Sequence, residues 1–315
     1  MVDLRVNIGG LAMKNPVMPA SGTFGLEHSR VIDFERLGAC VAKSVTPALR
    51  TGNPTPRVCE TDSGMLNSIG IPSKGLRHFR EQVIPTFAAW GTPLVVSVSA
   101  DTTEQFAQAC AELSVAGVAA IEANISCPNI EADGRAFAMS APDTAAVLAA
   151  MRSQTSLPLW AKLTPNTGDI AAIARAAEDG GADALVVANT ILGMAIDVNT
   201  RRPKLGNVMG GLSGPAVKPI ILRLVYQCAR AVKIPIVGCG GIATGEDAVE
   251  YLLAGAAAVQ VGTATFLHPG AMIGVIEGLE RYCEAHGVGR VADLTGAVLV
   301  DEHLSERSLR HAIQL

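Results

Sequence analysis

The chain has 315 residues and a formal net charge of -4, and 49% of its residues are hydrophobic, 17% charged and 4% aromatic. This length suits one large domain, and its core has to be built from Ala, Val, Ile and Leu, which suit buried parallel strands. No run of Lys or Arg offers the basic surface that nucleic acid or an anionic membrane needs, so we expect neither as a partner.

The first residues do not predict a targeting signal. The opening MVDLRVNIGG lacks the basic start and the apolar stretch of a signal peptide. No apolar run approaches the roughly 20 residues of a membrane-spanning helix. We therefore expect a cytosolic protein.

Eight short apolar runs follow one another along the chain, and each predicts a strand. They are NPVMPASG (15–22), ACVAKSV (39–45), PLVVSVSA (93–100), AIEANISC (120–127), LPLWAKLT (157–164), ALVVANT (184–190), IPIVGCGG (234–241) and AVQVGTA (258–264). Segments such as 102–117 and 167–182 between them have helical patterning, and Gly repeatedly precedes the next strand. Strand and helix alternating eight times predict an α/β fold, a (β/α)8 TIM barrel that covers residues 1–315 as a single domain.

A doubly wound open sheet is the structural alternative. The similar spacing of eight strands favours closure into a barrel, and no G-x-G-x-x-G motif follows the first strand. In a barrel, reactive groups lie at the C-terminal ends of the strands. Here those ends carry Ser21-Gly22, Lys43-Ser44, Ser97, Asn124 to Cys127, Lys162, Asn189-Thr190, Gly240-Gly241 and Gly262-Thr263.

The last two strand ends favour a phosphate site. Gly240, Gly241, Gly262 and Thr263 offer backbone N–H groups that an anion can approach closely, and the loops after strands 7 and 8 of such barrels commonly bind phosphate. Glycine at one strand end is more often a simple turn residue. Its occurrence at both late strands favours the phosphate.

Two lysines stand inside otherwise apolar strands. Lys43 and Lys162 must reach a counter-charge at the rim or meet a large desolvation cost. The alternative is that they extend to solvent from outward positions. An anionic cofactor and an anionic substrate would explain both lysines.

The segment NISCPN (124–129) combines amides with a thiol. Asparagine offers one acceptor and two donors, which suits a heterocycle with amide and carbonyl groups, and Asn67, Asn189 and Thr190 could complete the ring of contacts. A lone cysteine at a strand end is more often structural. Between two asparagines and before a proline, Cys127 is a candidate general base at a lid.

The cysteines do not indicate a cluster or a disulfide framework. There are seven, widely spaced and never as C-x-x-C, which argues against disulfides, zinc and an iron-sulfur cluster on this chain.

The Gly- and Pro-rich stretch between strands 2 and 3, with TGNPTPRV and GMLNSIGIPSKG, predicts an ordered non-helical excursion over the barrel mouth. Loops of this length are usually functional.

Eight motifs in barrel order resemble the class 1 dihydroorotate dehydrogenases, most closely the NAD-linked bacterial type. They are NPVMPASGTFG, GNPTPRV with GMLNSIGIP, EANISCPN, WAKLTPN, ANTILGM, GGLSGPAVKP, IPIVGCGGI and AVQVGTATF. The resemblance implies a barrel that binds FMN at its C-terminal face. It also implies that a lid cysteine, here Cys127, removes a proton from C5 of dihydroorotate while hydride leaves C6 for the flavin. Membrane-associated relatives use serine there.

The resemblance also implies the binding residues. Those for the pyrimidine are Lys43, Asn67, Ser68, Ile69, Gly70, Ile71, Asn124, Asn129, Asn189 and Thr190. Those for FMN are Ser21, Lys43, Ser44, Ser97, Asn124, Lys162, Ala188, Gly214, Gly240, Gly241, Gly262 and Thr263, with Lys162 stabilising negative charge near flavin N1. The chain departs from the family pattern at Ser97, usually asparagine, and in GRAFAMSAPD after the lid.

The resemblance further implies a homodimer joined by a subunit with FAD and a 2Fe-2S cluster, as a heterotetramer that reduces NAD. Three alternatives remain open. A dihydropyrimidine dehydrogenase subunit would share the barrel and lid but reduce uracil or thymine, and Lys43 favours an acid instead. A fumarate-linked homodimer would share the half-reaction. A catalytically silent barrel would bind a phosphorylated ligand without needing a lid cysteine.

Overall fold

Eight parallel strands form one sheet in the computed structural model, which describes residues 2–126, 136–301, 303, 304, 306 and 308. We number these strands β1 to β8 in chain order, and each lies beside the next one along the chain, with β8 beside β1. They are Val17–Pro19, Cys40–Val41, Leu94–Val98, Ala120–Ala123, Leu159–Lys162, Ala184–Val187, Ile236–Cys239 and Ala256–Val261. Each overlaps a predicted strand, so the predicted barrel is confirmed.

The barrel closes between β1 and β2. The amide of Gly38, just before β2, donates a hydrogen bond of 2.9 Å to the carbonyl of Val17 in β1. The side chain of Asn15 supports this seam, because its Oδ1 accepts from the Val17 amide at 3.1 Å and its Nδ2 donates to the Arg36 carbonyl at 2.8 Å. The consecutive strand order excludes the doubly wound alternative, in which the order reverses.

We expect Gly38→Ala to destabilise the fold at this seam. A Cβ at Gly38 would overlap the carbonyl oxygen of Asn15, a backbone atom that cannot move without disturbing β1. The free energy of unfolding should fall by about 1–3 kcal/mol, as for overpacking in a core, and thermal unfolding would measure it. Gly274→Ala is the matched control, because nothing lies within 4 Å of its added Cβ. Equal melting temperatures for the two variants would contradict the expectation.

Helices cover the outside of the barrel. The predicted helical segments 102–117 and 167–182 contain Thr103–Leu113 and Ile170–Asp179, and the side chains of Thr102 and Asp169 cap their first turns. The other α-helices in the described ranges are Gly75–His78, Ile84–Ala88, Ala141–Arg152, Lys218–Ala229, Gly245–Leu253, Ala264–Leu267 and Ala271–Ala285. A π-helical turn, Phe79–Val83, joins the first two of these.

Short 3-10 helices complete the connections. They are Leu26–Arg30, Phe34–Arg36, Phe137–Met139, Pro215–Val217 and Val291–Leu294. Among the helices of the described residues, none combines the length and the apolar character that crossing a membrane requires.

The barrel interior changes from apolar to polar toward the C-terminal face. An apolar layer is formed by Val95, Ala120, Trp160 and Ala258. Successive side chains of a strand alternate between its two faces, so the residue two positions further along each strand also points inward. These residues are Ser97, Glu122, Lys162 and Gln260, and all four are buried. A polar layer therefore lies directly beneath the C-terminal face.

A second sheet of four antiparallel strands stands at the barrel mouth. Its spatial order is Val58–Thr61, Gly64–Asn67, Met209–Ser213 and Ile191–Met194. The sequence predicted the excursion that holds the first two strands, but not that they form a sheet. Three two-stranded sheets pair Val6–Ile8 with Leu11–Met13, Leu49–Arg50 with Ser73–Lys74, and Ile196–Asp197 with Arg202–Pro203.

Candidate active site

A cavity of about 700 Å³ opens at the C-terminal face, between the ends of the barrel strands and the mouth sheet. Its size lies within the ~300–1,000 Å³ of typical cofactor and small-molecule sites. It brings together most of the residues that the sequence predicts for the site. Those that line it are Ser21, Lys43, Ser44, Asn67, Ser68, Ile69, Gly70, Ile71, Asn124, Lys162, Ala188, Asn189, Thr190, Gly240, Gly241, Gly262 and Thr263.

Two of the predicted site residues that the structure describes, Ser97 and Gly214, do not line the cavity. Ser97 is fully buried and shares a hydrogen bond of 2.8 Å with the hydroxyl of Ser44, so it lies behind the cavity wall. Gly214 packs against Gly64, and its carbonyl oxygen would lie 2.9 Å from a Cβ added at Gly241. Cys127 and Asn129 lie outside the described residues.

Four backbone amides at the ends of β7 and β8 form an anion cradle. They belong to Gly240, Gly241, Gly262 and Thr263, all of which line the cavity. None of the four amides donates a hydrogen bond to another described residue. Backbone N–H groups inside proteins are rarely left unpaired, so these four are available to a ligand with several acceptor oxygens.

Tyr251 fixes the direction of one of these amides. Its hydroxyl donates a 2.6 Å hydrogen bond to the Gly240 carbonyl. In a trans peptide the carbonyl and the following N–H point in opposite directions, so this bond turns the Gly241 amide away from Tyr251. The ring packs against Gly238, where a Cβ would overlap it.

We expect Tyr251→Phe to weaken binding of a phosphorylated ligand without unfolding the barrel. The ring and its packing stay, while the Gly240 carbonyl loses its donor. A lost hydrogen bond contributes about 1 kcal/mol, which corresponds to about 5-fold in the dissociation constant. Titration of the apoprotein with FMN and with riboflavin, which lacks the phosphate, would measure it. An equal loss for both ligands would contradict a role in holding the phosphate.

Lys162 stands at the end of β5 in a buried polar network. Its ammonium donates to Gln260 Oε1 at 3.1 Å and to Ser21 Oγ at 3.2 Å, and it lies 3.9 Å from Glu122 Oε1. Burial acts to lower the pKa of Lys162, but the neighbouring Cys239 and Glu122 outweigh it, and the pKa is raised. The ammonium therefore stays charged at the floor of the cavity.

Lys43 follows β2 and faces the same cavity, half-buried. No described residue accepts a hydrogen bond from its ammonium. Burial lowers the pKa of Lys43, and the nearby positive charge of Arg57 lowers it further. Arg57 is held by the carbonyls of Asn53 and Thr51, at 2.6 and 2.9 Å. Lys43 and Arg57 are therefore two cations near one wall of the cavity, and no described carboxylate pairs with Lys43. This arrangement favours an anionic ligand there.

A chain of hydrogen bonds fixes the amide orientations on another wall. Asn124 Nδ2 donates to Ser44 Oγ at 3.0 Å, and Asn124 Oδ1 accepts from Ser126 Oγ at 3.0 Å. Asn189 Nδ2 donates to Ser126 Oγ at 3.1 Å, and Asn189 Oδ1 accepts from the Thr190 amide at 2.8 Å. Since each amide has a defined donor and acceptor end, the cavity presents a fixed pattern to a ligand.

Two further asparagines at the cavity were not selected from the sequence. Asn166 donates to the Thr190 carbonyl at 3.1 Å and accepts from the Leu192 amide at 2.9 Å. Asn207 donates to Ser68 Oγ at 3.1 Å. Asn166 belongs to the motif WAKLTPN after a predicted strand, a signal that could have found it. Asn207 lies in the mouth segment, where no strand end marks it.

Comparison with known proteins agrees with this architecture. The family model for dihydroorotate dehydrogenase matches residues 3–282. The chain belongs to the dihydroorotate dehydrogenase family. Members of this family are flavin-dependent oxidoreductases, so the resemblance drawn from the eight motifs is confirmed at the level of the family.

Full-length relatives of the dihydroorotate dehydrogenase family are similar to this chain. A protein from Desulforamulus reducens is 50% identical over 94% of this chain and 98% of its own length. Proteins from Pelobacter propionicus and Bacteroides thetaiotaomicron are 47% and 48% identical, over 94% and 95% of this chain and 98% and 100% of their own lengths. All three are named dihydroorotate dehydrogenase B (NAD(+)), catalytic subunit. That name implies a second subunit for these relatives.

Proposed function

We propose that the chain oxidises dihydroorotate to orotate in pyrimidine biosynthesis, as a single barrel domain that binds FMN at its C-terminal face. One observation carries the proposal. A single cavity joins an anion cradle, two lysines and a wall of oriented asparagine amides. These groups match a phosphorylated flavin on one side and an acidic pyrimidine on the other.

The residues present fit FMN. The four free amides at the ends of β7 and β8 suit its phosphate, and the buried ammonium of Lys162 suits a ring system that gains negative charge on reduction. Both groups border the same cavity. When bound, the flavin supplies the acceptor for the substrate hydride.

The opposite part of the cavity would hold the substrate. Lys43 would bind its carboxylate, because the ammonium has no other described partner. The amides of Asn67, Asn124 and Asn189 would bind the ring N–H and carbonyl groups, since an amide offers both donors and an acceptor. These contacts orient the ring, and the mouth sheet, which supplies Asn67, shields it from water.

Cys127 would take the substrate proton from C5. It lies outside the described residues, but the preceding Ser126 is buried and held by Asn124 and Asn189. Cys127 is therefore joined by a peptide bond to a residue that contacts two cavity-lining asparagines. Asn129, two residues further on, would contact the pyrimidine from the same segment.

Electrons would leave through a second protein. We propose a homodimer of the barrel joined in the cytosol by a subunit with FAD and a 2Fe-2S cluster, a heterotetramer that reduces NAD. The names of the relatives, with NAD(+) and catalytic subunit, support this over fumarate as acceptor. Lys43 favours an acidic substrate over uracil, which argues against the hypothesis of a dihydropyrimidine dehydrogenase subunit.

The test is anaerobic mixing of the purified protein with L-dihydroorotate while the flavin absorbance is followed. Dihydrouracil and buffer serve as controls. Bleaching by dihydroorotate alone is the expected result. Bleaching by dihydrouracil alone, or a colourless protein that takes up no FMN, would contradict the proposal. Addition of fumarate, or of NAD with the partner subunit, would then identify the acceptor.

A further inference from the structure

Glu122 is a buried carboxylate that the proposed reaction does not use. It points inward from β4, is 0% exposed and is not among the residues that line the cavity. Its Oε2 accepts a hydrogen bond of 2.7 Å from Gln260 Nε2. Its Oε1 has no hydrogen-bond partner among the described residues and lies 3.9 Å from the ammonium of Lys162.

The surroundings of Glu122 suit the ionised form. A protonated carboxyl needs an acceptor for its O–H, and the Gln260 group that faces Glu122 is a donor. Oε1 has no described acceptor within reach. A buried anion without a counter-charge is strongly destabilising, and the ammonium of Lys162, 3.9 Å away, is the cation that compensates it.

Gln260 orders these two charges. Its Nε2 donates to Glu122 while its Oε1 accepts from Lys162, so opposite charges fix opposite ends of one amide. The Lys162 ammonium also donates to the Ser21 hydroxyl. Two of its three N–H donors are therefore used, and the third is left for a ligand in the cavity. The three side chains come from β4, β8 and β5 and meet inside the barrel.

We propose that Glu122 is a positioning residue that acts through Gln260 and Lys162 to lower the reduction potential of the bound flavin. The proposal rests on the proposed function, because it needs a flavin in the cavity. A flavin gains negative charge on reduction, and Lys162 stabilises that charge while Glu122 opposes it. Both effects are strong in the low dielectric of the barrel interior. A lower potential favours passing electrons onward to the partner.

The experiment compares the flavin potential of the wild type and Glu122→Gln. The glutamine keeps the size and an acceptor for Gln260 but removes the charge. At a fixed potential of the solution, the ratio of reduced to oxidised flavin should rise at least tenfold, which is about 30 mV for a two-electron couple. The measurement is equilibration with a reference dye during photoreduction, in the holoprotein and without dihydroorotate.

Two further variants separate charge from structure. Glu122→Met also removes the charge but cannot hydrogen-bond Gln260, and we expect the same direction of shift; it also serves if the glutamine variant is insoluble. Glu277→Gln removes a carboxylate on the outer helix, where Glu277 pairs with Arg36, and should leave the potential unchanged. Affinity of each apoprotein for FMN is measured in parallel.

The outcomes distinguish this inference from the proposed function. An unchanged potential in both Glu122 variants, or a shift in Glu122→Met alone, would overturn the role of the charge. A shift equal to that of Glu277→Gln would do the same. Because photoreduction needs no substrate, a yellow protein that dihydroorotate fails to bleach still gives a potential, so failure of the proposed function leaves this comparison decisive. A protein that binds no flavin would overturn both.

Discussion

Replacing Cys127 with alanine is expected to slow reduction of the bound flavin by dihydroorotate by about 100-fold or more, the contribution typical of a general base. The remaining rate would come from the orientation of the ring by the lysine and the amides, which the substitution leaves in place. Anaerobic stopped-flow mixing with saturating dihydroorotate measures this step directly, before any electron reaches a second acceptor.

The pH profile adds an independent test of the same role. A free thiol has a pKa of about 8.5, and only the thiolate can accept a proton. The rate of the wild type should therefore rise as the pH approaches that value, and the rise should be absent in Cys127→Ala. Cys59→Ala is the matched control, since Cys59 is on the mouth sheet but does not line the cavity. Wild-type rates in Cys127→Ala would refute the assignment.

The barrel strands could be predicted because each is a short apolar run between turn signals, but their ends could not. The second predicted strand, 39–45, forms a continuous ladder at Cys40–Val41 and then an isolated bridge between Val45 and Val98, while Lys43 and Ser44 between them line the cavity. The last predicted strand, 258–264, is shifted to Ala256–Val261. Gly255, with a φ of +115°, follows the end of the preceding helix and directly precedes this strand. Gly262 comes after the last paired residue and lines the cavity.

Sequence periodicity could not predict the mouth sheet. Its central pairing joins Asn67 to Gly211, which are far apart along the chain. Gly211 is required there because a Cβ would overlap the side chain of Thr190. That requirement comes from the close approach of two segments, and neither segment alone contains it.

The polar layer was found only in part. The sequence indicates Lys162, because a cation inside an apolar strand needs a counter-charge or a ligand, and the same reasoning applies to the polar side chains of Glu122 and Gln260. Their sequence neighbours are apolar, so each resembles an isolated exception. Only the closed barrel brings β4, β5 and β8 together around them and makes the three polar residues one network.

Replacing Lys43 with methionine is expected to weaken orotate binding by about 100-fold and uracil binding by less than about 3-fold. A hydrogen bond to a charged group contributes about 1.5–3 kcal/mol, and only orotate carries a carboxylate. Methionine keeps most of the apolar stem, so packing at the cavity wall is preserved. Perturbation of the flavin absorbance by each ligand would give both dissociation constants, and FMN retention would be recorded for the variant.

The wild type should also lose affinity for orotate at alkaline pH. Burial and Arg57 lower the pKa of Lys43, so its ammonium loses its proton at a lower pH than an exposed lysine does. Below that pKa the charged form binds the carboxylate, and above it the neutral amine binds weakly, so affinity falls as the pH rises. Bound orotate in turn favours the ammonium, so binding near the pKa should take up a proton. Lys43→Met should show neither effect.

Lys14→Met is the matched control for the loss of one lysine. Lys14 is exposed and donates to the Glu35 carbonyl, away from the cavity, so both ligands should bind this variant as they bind the wild type. Equal losses of affinity for orotate and uracil in Lys43→Met would mean that the ammonium does not bind the carboxylate. The argument for an acidic substrate would then fail, and dihydrouracil would become the substrate to test first, because it fits the same wall of amides without needing a counter-charge.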